Sequence, residues 1–184
     1  WQLEHHPLKE IATHTGYAAN TITNAARELE DHQLITILGT KEKHLQFKLK
    51  GKELWEQGLS EGRLTTPVMH RMYVDVKPEN TQLLRANLTA LSEYSDMNPG
   101  AQTYYAIGKN TYYMLEKENK LASSNPIEGQ YCLEVWKYNP GRLATQDHLN
   151  NEVVDPLSLY LSMQSLKVER IEMALDHILN TFPW

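Results

Sequence analysis

LKEIATHTGYAANTITNAARELEDHQLI, residues Leu8–Ile35, is the stretch from which the fold is read. Pro7 stands just before it and suits a helix start, where the N–H it lacks is not needed. Leu8, Ile11 and Ala12 follow at helical spacing and predict a first, short helix. Gly16 is expected to end that helix in the left-handed cap conformation. A second helix is predicted from about Ala18 to His32. Its apolar positions Ile22, Ala25, Ala26 and Leu29 make one narrow stripe. The small Ala25 and Ala26 are expected to let two helices approach closely. Asn20, Thr21, Thr23, Asn24 and Arg27 fall largely off that stripe.

Outward from this stretch, Leu34 to Leu38 is apolar and rich in β-branched residues, and reads as a strand. Gly39 to His44 is a polar turn. Leu45-Gln46-Phe47-Lys48-Leu49-Lys50 alternates, which predicts a return strand with one dry face and one basic face. Gly51 ends it, and Lys52 to Gln57 reads as a further helix with Leu54 and Trp55 as its apolar contacts.

A short helix, a Gly turn and a second helix with a polar N-terminal half form the helix-turn-helix pattern, and a basic hairpin directly after it is a wing. Such a second helix fits the major groove of DNA, where Asn pairs with adenine, Arg with guanine, and a Thr methyl meets a thymine methyl. The residues expected at bases are Asn20, Thr21, Thr23, Asn24 and Arg27. Lys41, Lys43, His44 and Lys48 of the hairpin are expected at the phosphate backbone or the minor groove.

Residues 8–58, from "LKEIATHTGYAANTITNAARELEDHQLI" through the lysine-bearing hairpin to "KLKGKELWEQG", resemble the winged-helix core of MarR-type regulators. That resemblance implies a transcriptional regulator. The chain departs from the family at Ala19 and Asn24, where members often carry basic residues.

Gly58 to Pro67 reads as a linker. Domains are therefore expected at residues 1–66, the winged helix-turn-helix, and 67–184, a small α/β regulatory or interaction domain with an antiparallel or mixed sheet and C-terminal helices. The whole chain is α+β. In the second part, Val68 to Val76 reads as a strand, and Pro78-Glu79 starts a helix expected to run to about Ser95. Thr103-Tyr104-Tyr105 and Thr111-Tyr112-Tyr113, separated by Gly108-Lys109-Asn110, suggest a β-hairpin. Its tyrosines read as one core face and one half-exposed face rather than a ligand platform. Tyr131 to Tyr138 is a further strand ended by Asn139-Pro140-Gly141. Asp155-Pro156 is a capped helix start, and a last helix is expected from about Lys167 to Thr181. Phe182-Pro183-Trp184 reads as a hydrophobic end that caps a core or meets a partner.

The segment "NNEVVDPLSLYLSM", after a strand ending in "VWKYNP", looks like the C-terminal part of AbiEi-type antitoxin and regulator proteins. This implies a DNA-binding repressor with a possible toxin-like protein partner.

Composition bounds the alternatives. The chain has 184 residues, 41% of them hydrophobic, enough for a packed core. The formal net charge of −5 argues against nucleic-acid binding only in sum. Between residues 41 and 52, Lys41, Lys43, Lys48, Lys50 and Lys52 stand against Glu42 alone. The acidic Glu28-Leu29-Glu30-Asp31 lies at the end of the second helix that normally points away from a duplex. No apolar run approaches the ~18 residues of a membrane span. Trp1 to Pro7 do not read as a signal peptide, and a first residue other than Met leaves open a longer protein. Cys132 is the single cysteine. That fits a reducing, cytoplasmic setting, and its apolar neighbours suggest a buried strand residue rather than a nucleophile.

Phosphate-binding glycine patterns and HExxH are absent from the sequence. Asp75 has no second acid two residues away, and Asp147 and His148 fall in a predicted loop without a nucleophile at diagnostic spacing. No enzyme, cofactor or metal is expected. The combined expectation is a DNA-binding regulator, a homodimer matching a two-fold operator, with a small-molecule effector or protein partner at its second domain. Two other readings stay open. One is an antitoxin-like module that neutralises a partner by contact. The other is an α/β enzyme using Asp75 or Asp155.

Overall fold

The structure is a computed structural model and describes residues 3–121, 124–143 and 152–184. The chain divides into two compact units, one holding the residues up to Arg63 together with Trp184, the other Leu64–Pro183.

In the first unit, α1 (Leu8–Thr15) ends at Gly16, whose φ of 67° is the left-handed conformation that glycine adopts without strain. A turn leads into α2 (Ala19–Asp31). Then come β1 (Ile35–Leu38), β2 (His44–Phe47) and α3 (Gly51–Ser60). The two strands pair antiparallel, with Ile35 opposite Phe47 and Ile37 opposite Leu45. Gly39 begins the turn between them at φ +90°, and a Cβ there would meet the Glu42 carbonyl oxygen at 2.0 Å. The core of this unit is Leu8, Ile11, Ala26, Ile35 and Leu45, with Ile22, Leu29, Ile37 and Phe47 packed against it. Of the two alanines expected in the α2 stripe, Ala26 is buried and Ala25 is exposed. The return strand is shorter than its alternation predicts, ending at Phe47, although burial alternates through Lys50. His44 belongs to β2 rather than to the turn.

The second unit is built on a four-stranded sheet in the order β3-β6-β5-β4. Its strands are β3 (Val68–Val74), β4 (Leu84–Arg85), β5 (Thr103–Gly108) and β6 (Tyr131–Trp136). β3 and β6 run antiparallel, β6 and β5 parallel, and β5 and β4 antiparallel, so the sheet is mixed. Its helices are α4 (Asn87–Tyr94), α5 (Lys109–Lys117), α6 (Pro156–Met163) and α7 (Glu169–Thr181). One core gathers Ala106 and Trp136 of the sheet with Ala90, Leu91, Leu159, Met163, Ile171, Leu175 and Ile178 from α4, α6 and α7. A second core gathers Val74, Ile107, Leu133 and Val135 with Tyr112 and Leu115 of α5. Adjacent β6 residues enter different cores, as the period of a strand requires. The Asp155 carboxylate caps α6 by accepting from the Ser158 N–H at 2.8 Å, as the Asp-Pro pair predicts.

Several expectations are corrected. Gly58 is buried inside α3, which continues to Ser60, so the connection that follows is shorter than the predicted linker. The helix expected over residues 78–95 is confined to Asn87–Tyr94. Leu84 and Arg85 pair instead with Ala106 and Tyr105, and Leu83 and Leu84 join different cores, which is strand behaviour. The leucine spacing imitated a helix, and Asn80 at φ 51° is incompatible with one. The tyrosine-rich echo is not a hairpin: Gly108-Lys109-Asn110 joins β5 to α5. Because β5 and β6 are parallel, the chain must cross over between them, and α5 lies on that crossover. β3 ends at Val74 and β6 at Trp136, two residues short of the predicted ends. Among the described residues, no helix is long and apolar enough to cross a membrane.

Candidate nucleic-acid interface

The first unit positions its polar side chains in two sets. On α2, Asn20, Thr21, Asn24 and Arg27 are exposed and Thr23 is half-buried. At 3.6 residues per turn, Asn20, Asn24 and Arg27 share the outward face, while Ala26 and the half-buried Ile22 and Leu29 point to the core. On the hairpin, Lys41, Lys43 and Lys48 are exposed and His44 is half-buried.

The two sets meet at one groove of about 570 Å³, lined by Pro7, Leu8, Lys9, Glu10, Thr13, Thr23, Lys41, Glu42 and Lys43. Thr23 and two of the hairpin lysines are therefore brought together. Asn20, Thr21, Asn24, Arg27, His44 and Lys48 are not part of this lining. The hairpin is held there by the backbone. The Leu8 N–H donates to the Lys43 carbonyl at 2.8 Å, and Pro7 forms an antiparallel bridge with His44. On the other side the Glu4 carboxylate accepts from the Phe47 N–H at 2.8 Å and pairs with Lys50 at 2.9 Å. The Lys50 and Phe47 hydrogen bonds hold the Glu4 carboxyl below its ordinary range.

Charge pairing separates the free cations from the occupied ones. Lys50 is bound to Glu4, and Lys52 lies 3.8 Å from Glu56. Among the described residues, Lys41, Lys43, Lys48 and Arg27 have no ion-pair partner. The acidic end of α2 is engaged as well. Arg63 lies 3.9 Å from Glu28 and donates to the His32 ring at 2.9 Å, while Glu30 accepts from the Ile37 N–H at 2.7 Å. This moderates the negative charge that the sequence sets at that end.

Sequence reasoning missed Lys9 and Thr13 of α1, which line the groove beside the hairpin lysines. Their signal was available, since both are polar positions off the buried stripe of Leu8, Ile11 and Ala12, and both are exposed. It also missed the polar cluster of the second unit. Glu134 is fully buried on the central strand β6. Its Oε1 accepts from Arg71 Nε at 3.1 Å, Arg71 Nη2 at 2.9 Å and Asn87 Nδ2 at 2.8 Å. With one oxygen so fully hydrogen-bonded, the cluster ties edge strand, central strand and α4 together.

The residues weighed for catalysis stand apart. Asp75 is exposed, and Asp155 is buried as a helix cap whose carboxyl burial pushes up. Cys132 is fully buried on β6, and burial pushes its thiol up to about 11. Asp147 and His148 lie outside the described residues. Among the described residues, no three His, Cys, Asp or Glu side chains gather in a way that could hold a metal ion. No family model, curated protein or solved structure matches the chain.

Proposed function

We propose that the protein is a double-stranded-DNA-binding transcriptional regulator, a repressor, whose first unit works as a winged helix-turn-helix. The observation that carries this reading is the shared groove, where Thr23 of α2 lies beside unpaired Lys41 and Lys43 of the hairpin. A helix lying in the major groove presents its exposed polar face to base edges, and flanking lysines neutralise phosphates. Asn20, Thr21, Thr23, Asn24 and Arg27 are assigned to the major groove. Lys41, Lys43, His44 and Lys48 are assigned to the backbone or the minor groove. The protein acts as a cytoplasmic homodimer on a two-fold operator, and its second unit receives an effector or a protein partner. The winged-helix resemblance to MarR-type regulators and the AbiEi-like "VVDPLSLYL" segment point the same way.

Fluorescence anisotropy with a labelled duplex tests this. Binding is expected at low salt, with an affinity that falls linearly in log–log form as salt rises. Absence of binding at low salt contradicts it. A second reading, an antitoxin-like interaction module, is favoured by two exposed apolar side chains on the second unit. Val76 and Met114, 60% and 51% exposed, line one cavity there. Recovery of a stoichiometric protein partner together with no duplex binding supports that reading instead.

A further inference from the structure

The outward face of α2 carries a short and specific inventory of base-reading groups. Asn20 and Asn24 are exposed, and their amides make no side-chain hydrogen bond among the described residues. Thr23 donates its hydroxyl proton to the Ala19 carbonyl at 2.9 Å, so the groups it retains for a ligand are its methyl and an acceptor lone pair. Arg27 is the helix's one cation, and it is unpaired among the described residues. The acids that could accept from cytosine are engaged or distant. Glu28 faces Arg63, Glu30 is bound to the Ile37 N–H, and Asp31 stands at the far end of the same face, about 16 Å along the axis from Asn20 and about 6 Å beyond Arg27 at 1.5 Å per residue, past the positions of the two asparagines.

Carboxamides recognise adenine through N6 and N7, a Thr methyl suits thymine, and guanidinium recognises guanine. We infer that the DNA half-site read by this helix is A·T-rich. Asn20 and Asn24 each read an A·T pair, and Arg27 reads a single flanking G·C pair. Four residues advance a helix by about 6 Å, close to two base steps of about 3.4 Å, so the two A·T pairs stand two base pairs apart. Arg27 reads its guanine one or two pairs further on. This inference rests on the DNA-binding reading and names its target.

The test is selection of sites by the full 184-residue chain from a random duplex library, followed by titration of the enriched site. Enrichment of A·T at two positions two pairs apart beside one G·C pair is the expected result. Asn20→Ala and Asn24→Ala should each remove preference at one A·T position by about five- to a hundredfold while leaving the other intact. Both changes place a stronger helix former at an exposed position, so the fold is not at risk. Enriched sites that are G·C at both positions, or a preference unchanged by either substitution, overturn the half-site while leaving DNA binding standing. Failure to retain any duplex at low salt overturns the DNA-binding reading and the half-site with it.

Discussion

Thr23 of α2 and Lys41 of the hairpin turn line one groove, although 18 positions separate them in the chain. The antiparallel pairing of β1 with β2 and the Leu8 N–H bond to the Lys43 carbonyl bring the turn back beside α1. Weakening either element should therefore disturb the interface without touching a side chain assigned to DNA.

Gly39→Ala provides such a change. The position takes φ +90°, and a Cβ would meet the Glu42 carbonyl oxygen at 2.0 Å. The turn cannot keep its path. The variant is expected to lose more than about 1 kcal/mol of stability from the strained backbone alone, and to weaken duplex binding beyond what its folded fraction explains. Denaturant titration and anisotropy on the same sample separate the two effects.

Glu4 makes the hairpin anchor sensitive to acid. Its carboxyl is held below the ordinary range by Lys50 and the Phe47 N–H, so the folded chain binds its proton less readily than the unfolded chain. The stabilisation is therefore present above the usual carboxylate range and is lost as the pH falls through the lowered value. Glu4→Gln should be less stable than the parent at neutral pH, and the gap should close in strong acid. Urea unfolding over a pH series measures that gap, and a gap independent of pH contradicts the assignment.

Asp155 should show the opposite sign. Burial pushes its carboxyl up, so holding it ionised costs stability that appears as the pH rises through the raised value. Asn retains the capping oxygen without the charge. Asp155→Asn is expected to gain stability relative to the parent as the pH rises from the ordinary Asp range to neutrality. Asp155→Ala, which leaves the Ser158 N–H without its cap, is expected to lose about 1 kcal/mol. Thermal or urea unfolding of both variants at two pH values decides it.

Cys132 is fully buried with its thiol pushed up to about 11. Thiolate is the reactive form, so iodoacetamide at pH 8 should leave the native protein unmodified for hours and label it rapidly in denaturant. Mass spectrometry of the intact chain reads the outcome, and fast labelling of native protein contradicts this placement.

Legibility of the fold differed between the two units for a physical reason. In the first unit, local signals agree with tertiary packing. Gly16 is where α1 stops, and the alternation after Leu45 matches burial residue by residue. In the second unit, long-range pairing overrides local pattern. Leu83, Leu84, Leu88 and Leu91 are spaced like a helix face, yet β4 is claimed by β5 before the helix starts at Asn87. Tyr104-Tyr105 and Tyr112-Tyr113 look like two matching strands, yet the parallel partnership of β5 with β6 calls for a crossover. The Glu134–Arg71–Asn87 cluster was invisible because its members are separated by long stretches of chain and come together through the register of β3 with β6 and the packing of α4. On the outward face of α2 and on the hairpin, residue types and exposure were readable, but the pairing of Lys50 with Glu4 and of Glu28 with Arg63 was not.

The most direct measurement is the salt dependence of duplex affinity for the parent chain and for Lys41→Glu/Lys43→Glu. The expected result is weaker binding to every duplex sequence, with the log–log salt slope flatter by about two, one unit for each lost phosphate contact. Equal affinity and an unchanged slope in the double variant would contradict the placement of the hairpin lysines on DNA.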